Sequence, residues 1–381
     1  MHAFALIAAF AVPALAQQDA YLTGLLGTLN SLGLTSLVNI AGTVANGTNG
    51  VALLTQLAQG NKTLFAPNNE AFSKLPQAMT SNATLLSAVL SYHIADGYYN
   101  APDFAREPSH TILRSFLIDP AFVNLEGGRG QAIVGERDDG NDNDVSILTA
   151  TEDVDVERSA TYQNLIIHVV DEVLVPPGTI SQTAAQTSLT GLTGALQVTN
   201  LLPALEATKG ITIFAPTNEA FTAALAALGP QAQNASAVSA VLANHVINGT
   251  TVYSTGLTSQ NFASAGGQPF TFTTNTSGTF VTSGPSTAQI VRADIPVANG
   301  VVHLINAVLA NTASNPSAAA SAAISQSSVA ATAIPAPRQS SSGTSTSSNS
   351  NAATRAAGVP PAVVAIMLTG LGALLGGMLV L

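Results

Sequence analysis

Six histidines and one short acidic run are the side chains of this 381-residue chain whose types and spacing could do chemistry. Four of the histidines lie inside apolar runs, at His93, His168, His245 and His303. A metal or catalytic site would need further ligands nearby, and no second histidine stands two or four positions away from any of them. A core histidine, with both ring nitrogens bonded to the backbone, is the simpler interpretation of this spacing.

The acidic run DDGNDND, from Asp138 to Asp144, offers clustered oxygen ligands of the kind that Ca²⁺ prefers. It departs from the helix–loop–helix calcium pattern, because it lacks the glycine at the sixth position and the glutamate at the twelfth. A solvated loop is the simpler interpretation, and calcium binding stays open. The wider segment from Glu126 to Glu157 holds ten acidic residues and has no counterpart later in the chain, which predicts a solvated insertion.

The overall composition excludes several classes of function. The net charge is −10 and the 11 Lys and Arg residues are scattered, so no basic patch suits a nucleic acid. There is no cysteine, which removes disulfides, thiolate catalysis and cysteine-bound zinc. Neither a G-x-S-x-G nucleophile elbow nor a glycine-rich phosphate loop is present. We therefore predict a protein that is not an enzyme and holds no cofactor or metal, with a hydrolase as a remote alternative.

The elements that must position these side chains occur twice. TLFAPNNEAF (Thr63–Phe72) returns as TIFAPTNEAF (Thr212–Phe221), with eight of ten residues identical at an offset of 149. Two later blocks follow in the same order in both halves: VLSYHI matches VLANHV, and NLIIHVVDEVL matches NGVVHLINAVL. This pattern indicates a tandem duplication, with one domain at 19–178 and a second at 180–312.

Each repeated block predicts a particular local structure. The ten-residue block is a short β-prone run ended by proline, then an N-cap residue and apolar residues at helical spacing, which is typical of a strand-to-helix corner. We expect four corner rings to be buried: Phe65, Phe72, Phe214 and Phe221. The last block is nearly continuous in β-branched residues, which predicts a buried central strand, and Pro269–Gly284 predicts a hairpin. Each domain is therefore predicted to be α+β.

Both ends of the chain carry targeting signals. Residues 1–16 are apolar and finish in Ala-Leu-Ala, which is typical of a secretory signal peptide. Of the 40 residues from 312 to 351, 17 are Ser or Thr, which predicts a disordered, mucin-like stalk at 313–351. The tail at 352–381 ends in an uncharged apolar run behind the small residue Asn351, a pattern that favours a glycosylphosphatidylinositol (GPI) anchor over a single-pass helix.

Six N-x-S/T sequons agree with a secreted route. Three stand in each half of the chain, and we predict N-glycosylation at Asn46, Asn61, Asn82, Asn234, Asn248 and Asn275. The predicted location is the cell surface, with the chain anchored by lipid to the plasma membrane or the cell wall.

The three blocks, in this order, resemble the signature blocks of the fasciclin-like (FAS1) domain family. The resemblance covers about 290 of the 381 residues. It implies two tandem fasciclin-like domains, each a wedge of β-strands with packed helices, and extracellular adhesion through protein or glycan partners without catalysis. With the signal peptide, stalk and anchor, the chain resembles GPI-anchored fasciclin-like surface glycoproteins, most of all those of fungi. The alternative is a structural wall-spacer glycoprotein with no specific ligand.

The resemblance also implies candidate adhesion contacts. Animal family members use a Tyr-His pair, and an Asp-Ile pair nine residues before the histidine of the terminal strand. Tyr92-His93 matches the first pair and Asp294-Ile295 matches the second. The apolar neighbours of Tyr92 and His93 favour the alternative that these two side chains simply close the core. Neither repeat carries both pairs, since Asn244 replaces the tyrosine in the second repeat and the first repeat has only Asp-Val pairs near that spacing.

Overall fold

The computed structural model describes residues 11–45, 48–138, 140, 144–229 and 234–332, and the structural statements below concern these residues. Among them, no helix is long and apolar enough to cross a bilayer. The predicted tail at 352–381, Asn351 and Asn46 lie outside the described residues. The predicted signal-peptide cleavage site, after Ala16, falls within the first helix.

The first repeat places helices on a mixed sheet. Its described helices are α1 (Ala11–Ser31), α2 (Thr35–Ala45), α3 (Thr48–Leu57), α4 (Asn69–Ser73), α5 (Gln77–Thr80) and α6 (Ala83–Tyr92). Its strands are β1 (Lys62–Pro67), β2 (Ile94–Asp96), β3 (Thr111–Arg114), β4 (Ala132–Arg137), β5 (Val145–Leu148), β6 (Val154–Tyr162) and β7 (Leu165–Val170). The strand order is β2-β1-β7-β6-β5-β4-β3.

The second repeat has the same plan. Its described helices are α7 (Ile180–Gln186), α8 (Thr190–Thr199), α9 (Leu202–Ala207), α10 (Asn218–Leu228) and α11 (Ala235–Ala243), and a further helix, α12 (Pro316–Thr332), follows it. Its strands are β8 (Ile211–Pro216), β9 (Val246–Asn248), β10 (Phe270–Asn275), β11 (Gly278–Ser283), β12 (Ser286–Val297) and β13 (Gly300–Ile305). The order β9-β8-β13-β12-β11-β10 repeats that of the first sheet without its outermost strand.

The terminal strand of each repeat is central, as its composition predicts. β7 pairs in parallel with β1 and antiparallel with β6, and β13 lies between β8 and β12 in the same way. Every residue of β1, β7 and β8 is buried, which explains why these strands are apolar along their whole length. Alternate side chains enter two cores: Ile167 packs under the helices, whereas Val170 packs on the opposite face.

The strand-to-helix corner is confirmed in both repeats. The Asn68 side chain caps α4 by accepting from the Ala71 backbone N–H at 2.8 Å, and Thr217 caps α10 in the same way. The next residue reaches back to the preceding helices. Asn69 accepts from the Ser36 N–H at 2.9 Å and donates to the Gly33 carbonyl at 2.8 Å. The repeated block is therefore a folding device that joins β1 to the start of α2.

Burial of the corner rings is confirmed at three of the four positions. Phe65 and Phe214 are 0% exposed and Phe72 is 9% exposed. The prediction for Phe221 is wrong, because its ring is only partly buried. The neighbouring Leu225 on α10 is 51% exposed, so this helix covers its sheet less completely than helical spacing predicts.

The prediction of an acidic insertion at Glu126–Glu157 is also wrong. β4, β5 and β6 run through this segment and occupy the same places in the sheet as β10, β11 and β12. The two repeats differ instead in the length of one connection. The connection between β10 and β11 is a tight turn, whereas the corresponding connection between β4 and β5 is longer. In β5 the buried side chains of Val145 and Ile147 alternate with partly buried ones, which is typical of a strand. The many acidic residues around β5 make this alternation hard to recognise in the sequence.

The segment after the second repeat differs from the predicted stalk over its described part. Asn244, which replaces the tyrosine of the first repeat, donates from Nδ2 to the Asn311 and Ala313 carbonyls at 2.8 Å each and so fixes the chain before α12. A Cβ at Gly267 would lie 2.2 Å from the Asn315 carbonyl oxygen, and one at Gly249 would lie 2.2 Å from the Ser327 Oγ. The small alanine and serine side chains of α12 let the helix approach these glycines closely. In the sequence, the same side chains look too small to form a core.

Candidate ligand-binding cleft between the repeats

The first matched pair of histidines closes the end of each repeat. His93 Nδ1 donates to the Val89 carbonyl at 2.7 Å, and its Nε2 accepts from the Leu174 N–H at 3.0 Å. His245 makes the same two bonds, to the Val241 carbonyl at 2.7 Å and from the Leu309 N–H at 2.9 Å. Burial lowers the pKa of both rings to about 4, although the bond to the helix carbonyl opposes this. These neutral rings staple a helix end to the chain that leaves the terminal strand.

The second matched pair lies on the terminal strands. His168 Nε2 donates to the Tyr99 carbonyl at 2.8 Å, and its Nδ1 contacts the Ser159 Oγ at 2.7 Å. His303 Nε2 donates to the Val252 carbonyl at 2.9 Å, and its Nδ1 accepts from the Asp294 N–H at 3.1 Å. Burial is the main cause that lowers the pKa of both rings. The geometry thus confirms the structural role predicted for the four histidines. One of their hydrogen-bond partners is a side chain, Ser159, and the others are backbone groups.

The four predicted adhesion residues are buried. Tyr92 is 5% exposed and its hydroxyl donates to the Ala132 carbonyl at 2.9 Å, while His93, Asp294 and Ile295 are at most 2% exposed. Tyr92 and His93 therefore close the core, as the alternative predicts, and the structure corrects the expectation that the four side chains meet a partner directly. It also places Ser159, nine residues before His168, at the position of Asp294, so the Asp-Val pairs of the first repeat are not its counterparts.

Asp294 joins the two repeats. It lies in a bulge of β12 with a φ of 63°, and this left-handed conformation turns its carboxylate inward. There it accepts from the Ser254 N–H at 2.6 Å and from His110 Nδ1 of the first repeat at 2.7 Å. His110 Nε2 lies 3.4 Å from a Glu136 carboxylate oxygen. The imidazole of His110, which directly precedes β3, is thus held between one carboxylate of each repeat.

These contacts shift the ionisation of both partners. Burial alone would lower the pKa of His110, but the bond to Asp294 and the charges of Asp294, Glu136 and Asp153 raise it above its usual value. Burial would raise the pKa of Asp294, but bonds from His110 and Ser254 and the nearby His303 lower it. A protonated His110 facing an ionised Asp294 is therefore the favoured state.

Further hydrogen bonds hold the repeats together. Glu126, 4% exposed, accepts from the Thr251 N–H at 3.1 Å and from its hydroxyl at 2.9 Å. Gln131 Nε2 donates to the Val297 carbonyl at 2.9 Å. Arg292 reaches the Thr149 carbonyl at 2.6 Å. Arg292 matches Arg158 of the first repeat, because each pairs with the residue that follows the histidine of the terminal strand. Arg158 instead donates to the Leu32 carbonyl within its own repeat, so the match gives no signal for the contact of Arg292.

A cleft of about 760 Å³ opens beside this interface, and we call it the interrepeat cleft. Its walls come from the first repeat, from the second repeat and from α12, and its lining includes Tyr99, His110, Thr111, Arg114, Arg129, Thr251, Tyr253 and Ala330. The Arg114 guanidinium lies 5.1 Å from the centre of the Tyr253 ring. The nearby Arg129 faces the Glu126 carboxylate at 3.7 Å.

Arg114 is the chemically distinctive group of the cleft. Among the described residues it faces no carboxylate within ion-pair distance, and its hydrogen bond from Nη1 to the Gly130 carbonyl is long, at 3.4 Å. Stacking on Tyr253 orients the guanidinium without neutralising it. A half-buried, oriented and uncompensated guanidinium suits a carboxylate or another oxyanion.

The predicted glycosylation sites differ in exposure. Three are exposed: Asn82, Asn234 and Asn275. Asn82 and Asn234 are matched between the repeats and cap α6 and α11 through Oδ1, which leaves the amide nitrogen free for a glycan. Asn61 and Asn248 are half-buried. Glycan occupancy at all six sequons stays a prediction.

Calcium binding at the acidic loop stays a prediction. Asp139 and residues 141–143 of the DDGNDND loop lie outside the described residues. Within the described part, Asp138 Oδ1 accepts from the Gly140 N–H at 2.6 Å, which is the local bond of a turn.

Comparison with known families gives one match in two copies. The family model "Fasciclin domain" matches residues 41–176 and 187–311, which together are more than half of the 381 residues. A fasciclin-like arabinogalactan protein of Arthroderma benhamiae is 28% identical over 260 residues, which cover 66% of this chain and 59% of that protein. This chain thus spans about three fifths of that relative.

Two further relatives show the range of the similarity. The fasciclin-like arabinogalactan protein CTB11 of Cercospora beticola is 25% identical over 263 residues, covering 65% of this chain and 67% of that protein. The cell surface glycolipoprotein MPB83 of Mycobacterium bovis is 30% identical over 131 residues, covering 33% of this chain and 49% of that protein.

Proposed function

Because this chain belongs to the fasciclin family, we propose that it is an extracellular adhesion glycoprotein that binds its partner in the interrepeat cleft. The observation that carries the proposal is Arg114, a cation that no carboxylate of the described residues faces, at a cleft built from both repeats. The four residues that the resemblance implied are buried, so adhesion through their side chains is not part of it.

The partner we propose is an acidic glycan of the cell wall or extracellular matrix. A uronic acid offers a carboxylate for Arg114 and ring hydroxyls for the polar walls at Thr251 and Thr111. A guanidinium–carboxylate pair in a partly desolvated cleft is stronger and more directional than the same pair at an exposed surface. Acidic protein segments share the carboxylate but lack the regular hydroxyls.

The location we propose is the cell surface. A signal peptide at 1–16, exposed sequons on both repeats and a lipid anchor near Asn351 would place the two repeats outside the membrane on a Ser/Thr-rich segment. Two relatives are named as arabinogalactan proteins and one as a cell surface glycolipoprotein, which supports this location. In a eukaryotic cell, phosphatidylinositol-specific phospholipase should release the protein. Retention of the apolar tail in the mature protein would contradict the anchor.

Binding of the secreted chain to immobilised polygalacturonate tests the function, with the carboxyl-reduced polymer as the matched ligand control. Loss of one charged hydrogen-bonded pair costs about 1.5–3 kcal/mol, so Arg114→Gln should weaken binding by at least tenfold. Lys209→Gln removes an exposed cation outside the cleft and should leave the dissociation constant unchanged.

The outcomes separate the rival functions. Equal binding of both polymers, or equal binding by the Arg114→Gln variant, would contradict an acidic ligand in the cleft. Failure to bind any wall polymer, with cell attachment unchanged when both repeats are deleted, would favour the structural spacer. An adhesion protein loses cell attachment with its repeats.

A further inference from the structure

A second opening lies inside the first repeat, far in chemistry from the polar cleft. α1, α2 and α3 enclose about 200 Å³ above β1, with α6 and β2 closing the other side. Every lining residue is leucine, isoleucine, alanine or glycine. Leu25, Leu29, Leu53 and Leu57 are each less than 9% exposed, so the walls belong to the core of the domain.

A space of this size is unusual in a natural core. Protein interiors are packed like organic crystals, and voids larger than a water molecule are few. The lining offers no donor or acceptor, so water has no partners in it and an unfilled opening would leave the lining atoms without dispersion contacts. Some leucine side chains at the edge, such as Leu22 and Leu26, are only partly buried and mark the mouth.

The second repeat allows a position-by-position comparison with the helices that line the opening. Asn69 and Asn218 make the same bonds to the first turns of α2 and α8, to the Ser36 and Gly191 N–H groups respectively. In this register Leu37 of α2 corresponds to Leu192 of α8, and Ala41 corresponds to Leu196.

Leu196 is 3% exposed and fills the core of its repeat. Ala41 lines the opening in the first repeat. The side chain at this matched position is thus three carbon atoms shorter in the first repeat, where it lines the opening, than in the second repeat, where it packs in the core. The fold therefore accommodates a leucine at this position.

We propose that this leucine-lined cavity binds a free, neutral, apolar small molecule of about eight to ten carbon atoms. The size follows from scaling, because an apolar cavity of about 150 Å³ accommodates benzene. Neutrality follows from the lining, which holds no charged or polar side chain to pair with an ionised group. All lining residues follow the predicted cleavage site after Ala16, so signal-peptide removal leaves the cavity walls intact.

The test uses the full secreted chain with naphthalene and 1-octanol as probes, followed by naphthalene fluorescence and by calorimetry. We expect one molecule bound per chain and weaker binding of octanoate than of 1-octanol. Ala41→Leu copies the second repeat, and it should reduce affinity at least tenfold while raising the melting temperature by a few degrees. Leu54→Phe narrows the mouth of the cavity and should reduce the affinity by the same factor. It replaces Ala41→Leu as the test variant if Ala41→Leu does not fold.

The reciprocal variant supplies the matched control. Leu196→Ala opens the second repeat and should leave naphthalene binding at the first repeat unchanged. Absence of probe binding to the native chain, or equal binding by the Ala41→Leu and Leu54→Phe variants, would overturn the proposal. Pelleting with phosphatidylcholine vesicles that Ala41→Leu abolishes would overturn the free molecule in favour of an acyl chain still in a membrane. An apolar compound extracted from the native chain but not from Ala41→Leu supports the proposal.

Discussion

Single residues show most directly how this chain uses chemistry for structure. His93 and His245 each accept one backbone hydrogen bond and donate another, so each ring must be neutral to hold both partners. Their conservation between the repeats follows from this double bond to the backbone, and the same feature makes the fold sensitive to acid.

The first prediction concerns acid stability. The pKa of both rings is about 4 in the folded chain, against 6.5 when unfolded, so only the unfolded state gains these protons as pH falls from 6.5. Each ring should therefore lower the free energy of unfolding by about 3 kcal/mol between pH 6.5 and pH 4, and stability should be fully present above 6.5. Proton NMR of the two rings should show titration near pH 4, and titration near 6.5 would contradict the neutral staple.

A second prediction compares matched phenylalanines. Phe214 is 0% exposed and packs against Phe270, Phe272 and His303, with ring centres 5.2, 5.7 and 5.5 Å away. Phe214→Ala should cost about 3–5 kcal/mol in the free energy of unfolding, as for other core rings. Phe221→Ala should cost less than half as much, because its ring is only partly buried. Denaturant titration measures both, and equal losses would refute the ranking.

Elements add what residues cannot supply alone. The corner joins β8 to α8 through one side chain: Asn218 donates to the Ser188 carbonyl at 2.7 Å and accepts from the Gly191 N–H at 3.0 Å. Ser188 has a φ of 56°, so the bond also stabilises a backbone conformation that non-glycine residues seldom adopt.

The third prediction tests this corner. Asn218→Ala removes both bonds and should lower the free energy of unfolding by about 1–3 kcal/mol. Asn218→Asp keeps the acceptor and loses the donor, so its loss should be intermediate. The measurement is equilibrium unfolding in urea, and an alanine variant as stable as the native chain would show that the corner bonds are dispensable.

A fourth prediction concerns α12. Gly267→Ala places a Cβ 2.2 Å from the Asn315 carbonyl oxygen at a φ of 76°, so the start of α12 must shift. Amide hydrogen exchange in residues 316–332 should then rise by at least tenfold. Gly256→Ala is the control, since its Cβ would meet Val252 at an ordinary 3.6 Å. Unchanged exchange in the Gly267→Ala variant would show that α12 tolerates a displacement there.

At the scale of the whole molecule, charge decides how the repeats join. His110 faces Asp294, Glu136 and Asp153, and His303 lies on the far side of Asp294. The folded pKa of His110 is raised, so its contribution to stability is fully present below its unfolded pKa and is lost as pH rises through the folded value.

The fifth prediction follows from that sign. Between pH 6 and pH 9 the native chain should lose part of the coupling between its repeats, seen by calorimetry as separation of their unfolding transitions. His110→Gln cannot be charged and should show separated transitions at both pH values. His110→Gln with coupling as strong as the native chain at pH 6 would mean that the other interface bonds suffice.

What the sequence determined is what lies close together along the chain. The corner, the buried terminal strand, the hairpin and the tandem plan follow from local patterns: a proline ends a strand, an asparagine caps a helix, and β-branched runs form buried strands. The four core histidines followed because their apolar neighbours leave no room for ligands. Repetition strengthened each inference, because two copies show the same pattern.

Tertiary structure decided what depends on contacts between distant segments. Asp294 looked like a surface contact until β12 turned it towards His110, which is 184 residues away in sequence. The sequence predicts that Glu126 is solvated, but Thr251 donates a hydrogen bond to it in the folded chain. The sequence also predicts a stalk at the position of α12, which instead packs closely on two glycines. The interrepeat cleft and the leucine-lined cavity exist only where separate elements meet. No local pattern encodes such distances, because burial and pairing are properties of the packed chain.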